Sequence, residues 1–311
     1  MPVTIGPPTR VVAVVVTFNR LELLQTLVRR LGEIPGLAEV LVIDNASSDG
    51  TDTWLAACTA TGDIPVRSRS LATNRGGAGG FHDGLAWALD TGADLVWLMD
   101  DDGLPDVDCL PLLLEHRDDL DFWGPLVVDE SDPRRLVFPI RLPGGAKVAH
   151  AVDDVRRAAR GDRLDGIVIP FNGVLVTKEL VERIGLPREE FFIWGDDHEY
   201  RLRAEESGAR VATIVTAAVR HPSVGNLGTP MMWGLTTYND SPSDLKHYCM
   251  ARNNLVNLRD YRGPLHALAF VVKTVWFYTF SRPSLSRLRL SAGAMRAGIA
   301  GDFEGHRRFL R

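Results

Sequence analysis

The sequence predicts an α/β fold, a mostly parallel sheet flanked by helices and followed by a C-terminal helical segment. Three observations carry this. Near-continuous apolar runs, Val11 to Thr17 and Val40 to Asp44, read as strands covered on both faces. Between them, Leu21, Leu24, Leu27, Val28 and Leu31 keep helical spacing. A further apolar run, Leu95 to Met99, ends in three successive carboxylates, Asp100, Asp101 and Asp102, before Gly103 and Pro105 stop the strand.

Taken in order, the first helix ends at Gly32 and Pro35. Asn45-Ala-Ser-Ser-Asp-Gly-Thr51 is a polar turn able to cap a helix through Trp54 and Leu55. A short strand around Val66 leads to a glycine loop, Asn74-Arg-Gly-Gly-Ala-Gly-Gly80, and a helix through Leu85 to Leu89. Strands alternating with helices imply right-handed crossovers and a parallel sheet, whose ligands bind beyond the carboxyl ends of the strands. Thr17, Asp44 and Asp100 to Asp102 all fall there. Phe122 to Val128, Leu136 to Ile140 and Ile167 to Thr177 read as short strands, some antiparallel, with a charged mobile loop expected from Gly144 to Asp165. The aromatic stretch from Phe191 opens a helix to Glu206, and Val211 to Val215 and Ala218 to His221 are strand-like pieces. From Asp244 the pattern is helical, divided by Pro264 and Pro283. The expected division is a catalytic domain, 1–243, and a C-terminal helical, basic segment, 244–311.

The net charge of −5 makes no case for nucleic acid as a partner. From Arg282 onwards, however, seven arginines face only Asp302 and Glu304, a basic tail on an acidic body that suits an anionic surface. Cys58, Cys109 and Cys249 have no CxxC spacing, which supports neither disulfides nor zinc and makes reduced, cytosolic thiols the default. The opening MPVTIGPPTR has no apolar h-region, so no signal peptide is expected. The longest apolar run, Ala267 to Phe280, contains Lys273 and is too short to span a bilayer comfortably. Assembly into a homo-oligomer stays open.

Like charges clustered where a buried strand ends repel one another and resist desolvation, a penalty that a divalent cation removes. Alternate residues of an extended chain point the same way, so Asp100 and Asp102 can share one ion while Asp101 faces elsewhere; the bland alternative is a solvated acidic turn. His221, before a proline turn, reads alone as a satisfied structural histidine, and beside the Asp100 and Asp102 pair becomes a candidate third ligand for Mn²⁺. His198 competes for that role but is expected to face out of its helix or pack nearby. The glycine loop fits neither GxGxxG nor the Walker A spacing. Its glycines let backbone approach a ligand and Arg75 adds a fork for phosphate, the alternative being a flexible turn before a helix. Asp196 and Asp197 stand at a helix start, where ionised carboxylates are favoured and a general base for a sugar hydroxyl could sit; a plain helix cap uses the same residues. Leu268, Phe270, Val271, Val275, Trp276, Phe277 and Phe280, with the arginines after them, suit either an interfacial helix on anionic lipid or packing on the catalytic domain.

Val14-Val-Val-Thr-Phe-Asn-Arg20, Asp44-Asn45, Asn74 to Phe81, the Asp100 to Asp102 triplet and Trp194-Gly-Asp-Asp-His-Glu-Tyr200 together resemble the inverting family-2 glycosyltransferases with a GT-A fold. Within that family they look most like the actinobacterial galactofuranosyltransferases of cell-wall galactan synthesis, and the length and basic C-terminal helices look closer to the short initiating enzyme. The resemblance implies a UDP-galactofuranose donor, a polyprenyl-diphosphate-linked rhamnosyl-N-acetylglucosamine acceptor, and work at the cytoplasmic face of the membrane as a peripheral protein. It also implies roles. Thr17, Arg20, Asp44 and Asn45 would line the uracil and ribose pocket, and Asn74, Arg75, Gly76 and Gly77 would meet the diphosphate. Asp100, Asp102 and His221 would bind Mn²⁺ or Mg²⁺, and Asp101 would touch the donor sugar. Asp197 would be the base, with Asp196, Trp194, His198, Glu199 and Tyr200 around the acceptor. The polymerising enzymes carry a tryptophan shortly after the metal histidine, where this chain has Pro222-Ser-Val-Gly.

Overall fold

The computed structural model describes residues 9–145, 147–225 and 228–310. The amino-terminal stretch read for a leader, residues 1–8, and Arg311 of the basic tail lie outside the described residues. The chain forms two compact units: the described residues of Met1–Leu186 with Ala204–Ser223, and those of Pro187–Arg203 with Val224–Arg311. The second unit therefore takes in Pro187–Arg203, with Asp196 and Asp197, as well as the C-terminal helices.

The first unit is built on strands β1 (Val11–Thr17) and β2 (Glu39–Asp44), buried at every residue because helices or loops cover both faces. Helix α1 (Leu21–Leu31) joins them and buries Leu24, Leu27, Val28 and Leu31. Its end at Gly32 packs so close to the next hairpin that a Cβ there would lie 2.4 Å from Thr61 Oγ1. Helix α2 (Thr51–Ala57), the hairpin β3 (Ala60–Thr61) and β4 (Ile64–Ser70), helix α3 (Gly76–Asp90) and strand β5 (Leu95–Asp100) complete the repeating half. Strand β6 (Leu104–Pro105), helix α4 (Cys109–Leu114), strands β7 (Phe122–Asp129), β8 (Arg135–Arg141) and β9 (Val148–Ala151), helix α5 (Val152–Ala158), strands β10 (Arg163–Asp165) and β11 (Asn172–Thr177) and helix α6 (Lys178–Ile184) follow. After helix α7 (Asp196–Glu206), strand β12 (Val211–His221) returns to the sheet.

The sheet runs β10-β12-β7-β11-β5-β1-β2-β4-β3. Strands β4, β2, β1 and β5 are parallel, β11 is antiparallel between β5 and β7, and β12 is parallel to β7. The two pieces expected around Ala218 are one strand whose pairing with β7 shifts between Ile214 and Ala218. The segment expected as a mobile loop instead contains β9, α5 and β10, and it buries Val152, Val155 and Leu164 against Leu126, Val128 and Ile140. The glycine run expected as a loop is helical from Gly76 onwards. Helix α3 lies on β1 so closely that a Cβ at Gly80 would stand 2.4 Å from Val16 Cγ1, and one at Gly84 2.4 Å from Val14 Cγ1.

The second unit contains the hairpin β13 (Thr229–Met231) and β14 (Thr236–Tyr238) and helices α8 (Asp244–Arg262), α9 (Pro264–Trp276) and α10 (Leu285–Ala300). Pro264 at the start of α9 and the serine caps Ser243 and Ser284 set the breaks. Tyr248, Ala251, Leu255, Ala267, Ala294 and Met295 make its core. Among the described residues, no helix is long and apolar enough to cross a membrane.

Candidate active site

Register brings the expected residues to one edge of the sheet. Thr17 pairs with Asp44, and Val16 with Asp100, so β1, β2 and β5 end together. Just past β5, Asp101 Oδ2 accepts the Thr17 hydroxyl at 2.7 Å and Oδ1 accepts Arg20 Nη1 at 3.1 Å. Asp101 is only 4% exposed, and burial holds its carboxyl above the usual range despite those donors. Its oxygens are thus engaged with Thr17 and Arg20 rather than offered to a donor sugar, because a buried carboxylate must find its donors locally.

Asp102 shares Arg20 with Asp101 and adds a second partner, His221. Arg20 Nη1 reaches its Oδ2 at 2.5 Å, and His221 Nε2 stands 3.1 Å from its Oδ1. Burial pushes the Asp102 carboxyl up, but His221 and Arg20 outweigh it and hold it at about 2. The same pairing, working against burial, raises His221. His221 Nδ1 lies 2.7 Å from the Pro222 carbonyl, which can only accept, so that nitrogen carries a proton. In the neutral ring Nε2 then turns a lone pair towards Asp102 Oδ1, a buried oxygen with no hydrogen-bond donor aligned on it. Two lone-pair atoms facing each other need a positive charge between them, which is either the second ring proton that the raised His221 pKa favours or a metal cation in its place; a histidine braced by a carbonyl at its far nitrogen is the usual metal-ligand arrangement. Among the described residues no group of three His, Cys, Asp or Glu side chains is arranged to hold a metal. Of the three expected ligands, Asp102 and His221 meet, while Asp100 ends β5 and is half-buried.

Several expected pocket residues prove to be braces. Thr17, Asp44 and Asn45 are at most 2% exposed. Asn45 bridges to the start of α3, donating to the Gly76 carbonyl at 2.8 Å and accepting the Arg75 N–H at 2.8 Å. Asn74 Oδ1 accepts the Gly76 N–H at 2.8 Å, and Arg75 pairs with Asp83. A Cβ at Gly77 would meet nothing within 4 Å, so this part of the helix start is open. Asn19 and Asp49 were not singled out from sequence. Asn19, with φ at 53°, accepts the Ser48 N–H at 2.7 Å, and Asp49 accepts the Leu21 N–H at 3.0 Å, so together they tie the loops after β1 and β2. The only signal was their place in polar turns directly after two strands.

In the second unit, Asp196 and Asp197 open α7. Burial pushes both carboxyls up, and the neighbouring Asp197 adds to the rise at Asp196; Asp196 is 6% exposed and Asp197 is the more open. Asp197 Oδ1 accepts the His198 N–H at 2.7 Å. His198 faces out of the helix as expected, with Arg201 donating to its Nδ1 at 3.2 Å. Glu199 and Tyr200, expected at the acceptor, are at most 1% exposed. Glu199 pairs with Arg203 at 2.8 Å and accepts the Tyr261 hydroxyl at 2.5 Å, so both residues support the helix from within. Trp194 is half-buried, with φ at 67°.

Carboxylates at the carboxyl edge of a parallel βαβ sheet, one of them paired with a braced histidine, mark that edge as the ligand site, and the architecture is that of the GT-A glycosyltransferases. Solved glycosyltransferases share it. S. aureus TarS aligns with a TM-score of 0.58 at 15% identity, over 96% of this chain and 49% of that one, so the chain spans about half of it. A TarS 1-349 structure in complex with UDP-GlcNAc gives 0.56 at 13% identity, over 96% of this chain and 90% of that one. The mannosyltransferase PcManGT of Pyrobaculum calidifontis, in complex with GDP-Man and Mn²⁺, gives 0.52 at 20% identity, over 96% of this chain and 79% of that one. Galactofuranosyltransferase GlfT1 of Mycolicibacterium smegmatis is 33% identical over 291 residues, 90% of this chain and 93% of that protein. Residues 12–169 match glycosyl transferase family 2, and the chain belongs to that family of glycosyltransferases.

Proposed function

We propose that this enzyme transfers galactofuranose from UDP-galactofuranose to a polyprenyl-diphosphate-linked rhamnosyl-N-acetylglucosamine, with inversion, in cell-wall galactan synthesis. The observation that carries this reading is the identity to a galactofuranosyltransferase along nearly the whole of both chains. Arg20 meets the nucleotide, and Thr17, Asp44 and Asn45, buried behind it, hold the strand ends and the start of α3 that form the nucleotide end. The amino end of α3, with Asn74, Arg75, Gly76 and Gly77, meets the diphosphate, since the helix dipole favours an anion there and the backbone at Gly77 is open to approach. Asp102 and His221, joined by Asp100, would hold Mn²⁺ or Mg²⁺, which supplies counter-charge to the departing diphosphate. The complexes of TarS with UDP-GlcNAc and of PcManGT with GDP-Man and Mn²⁺ support a nucleotide sugar and a metal as ligands of this fold. Asp197 takes the proton from the acceptor hydroxyl, and a single displacement needs only that one base. Asp196, more deeply buried, keeps the proton the pair shares.

The same reading places the protein on the inner face of the plasma membrane. Helix α9 exposes Leu265, Leu268, Val272 and Val275 at helical spacing, and Phe280 and Ile299 are 65% and 64% exposed. A hollow of about 230 Å³ between α9 and α10 is lined by Val271, Val275, Leu288, Met295 and Ile299, with Arg296 also on its wall. An apolar face beside exposed arginines suits an anionic lipid surface.

The test is UDP release from UDP-galactofuranose with Mn²⁺ and a synthetic lipid-linked acceptor. Acceptor-dependent release should fall roughly 10²- to 10⁴-fold in Asp197→Asn. Release from dTDP-rhamnose in its place would move the enzyme to another donor, and an Asp197→Asn variant as fast as the parent would remove the base assignment.

A further inference from the structure

We infer that Arg252, Asn253 and Asn257 of helix α8 are positioning residues that set the geometry of Asp197. The inference rests on the reading of Asp197 as the base. The chain entering α7 is strained: Phe192 and Trp194 both have φ at 67°, and Gly195 follows at 87°. Non-glycine residues hold such angles only where their surroundings over-determine them, and such strain gathers at functional sites. Here the surroundings are one row of buried side-chain donors. Asn253 Nδ2 lies 3.0, 3.2 and 2.7 Å from the carbonyls of Phe191, Ile193 and Trp194. Arg252 Nη2 donates to the carbonyls of Glu190 and Phe191 at 3.3 and 2.9 Å, and its Nη1 to that of Phe303 at 2.9 Å. Asn257 Nδ2 donates to the Gly195 carbonyl at 2.8 Å.

That last carbonyl is also the acceptor of the Glu199 N–H at 2.9 Å, the bond that starts the helix carrying both aspartates. Asn257 therefore fixes the origin of α7 directly. Arg252 and Asn253 are fully buried and Asn257 is 2% exposed. Burial lowers the Arg252 pKa, and the acceptors of its bonds named above are neutral carbonyls, an expensive choice if helix packing were the only need. Asn257 makes the same point, because its Oδ1 is buried without a partner and the side chain contributes only its N–H donors. Gly195 completes the fit: a Cβ there would press within 3.3 Å of Asn253 Cβ and 3.4 Å of Asn257 Nδ2. A general base displaced by an ångström loses most of its effect, so the donors act on rate through Asp197.

The experiment compares Asn257→Ala and Asn257→Ser with the parent and Asp197→Asn in the UDP-release assay, with the folded fraction counted by UDP binding. Asn257→Ala should lower kcat per folded molecule about 10- to 100-fold, leave KM for UDP-galactofuranose within about twofold, and shift the pH profile of kcat. Asn257→Ser, which keeps a donor, should recover part of the loss. Unchanged kcat in Asn257→Ala, or a loss fully explained by fewer folded molecules, overturns the inference when Asp197→Asn is inactive. An active Asp197→Asn overturns it from the other side, by removing the base that the donors would position.

Discussion

Thr17, Asp101, Arg20, Asp102 and His221 form a chain of contacts in which each charge is balanced by its neighbour. The aspartate pair on α7 is different, since burial opposes ionisation there with little compensation. Both carboxyls bind protons more tightly folded than unfolded. Their contribution to stability is therefore present below the unfolded value of about 3.9 and lost as pH rises through the raised folded values. Asp196→Asn removes one ionisable member. Between roughly pH 4 and neutral its unfolding midpoint should fall less than the parent's. Thermal melts at stepped pH decide this, and parallel losses in the two proteins would show that the pair is not buried as described.

Among the elements, α3 shows how a motif can be seen and its structure misjudged. The density of glycines between Asn74 and Gly80 is plain in the sequence, and it marks a close approach. It does not say to what. Gly80 and Gly84 are small because Val16 and Val14 press against the helix, whereas Gly77 has open space before it. Gly80→Ala should thus cost about 1–3 kcal/mol by overpacking. Gly77→Ala should leave stability unchanged or slightly raised, since alanine is the better helix former. Denaturant unfolding of the two variants checks this, and equal effects would refute the packing assignment. Strand β12 carries a similar lesson, since the two apolar runs were legible but the bulge that joins them depends on pairing with β7.

At the scale of the whole molecule, the basic tail was legible as charge but not as structure. Helix α10 is packed in the second unit through Ser291, Ala294, Met295 and Gly298, so deleting it would expose the core rather than remove a loose arm. Charge reversal at the exposed Arg289 and Arg296 is the cleaner test of membrane binding. Sedimentation with anionic vesicles should show binding of Arg289→Glu/Arg296→Glu weakened by more than tenfold, at about 1 kcal/mol per basic residue removed, and less so at high salt. Equal partitioning of variant and parent would retire the lipid surface as the partner of this face.

The sequence by itself determined the alternation of strands and helices, the carboxylates at the strand ends and the second acidic cluster. Those features are written in neighbours a few positions apart, where side-chain period and turn chemistry act. Only the tertiary structure decided that Asp102 rather than Asp100 meets His221, that Glu199 and Tyr200 are buried, and that α8 supplies the donors holding the chain before Asp196. Burial and pairing between residues far apart in sequence arise from packing, which local pattern does not encode.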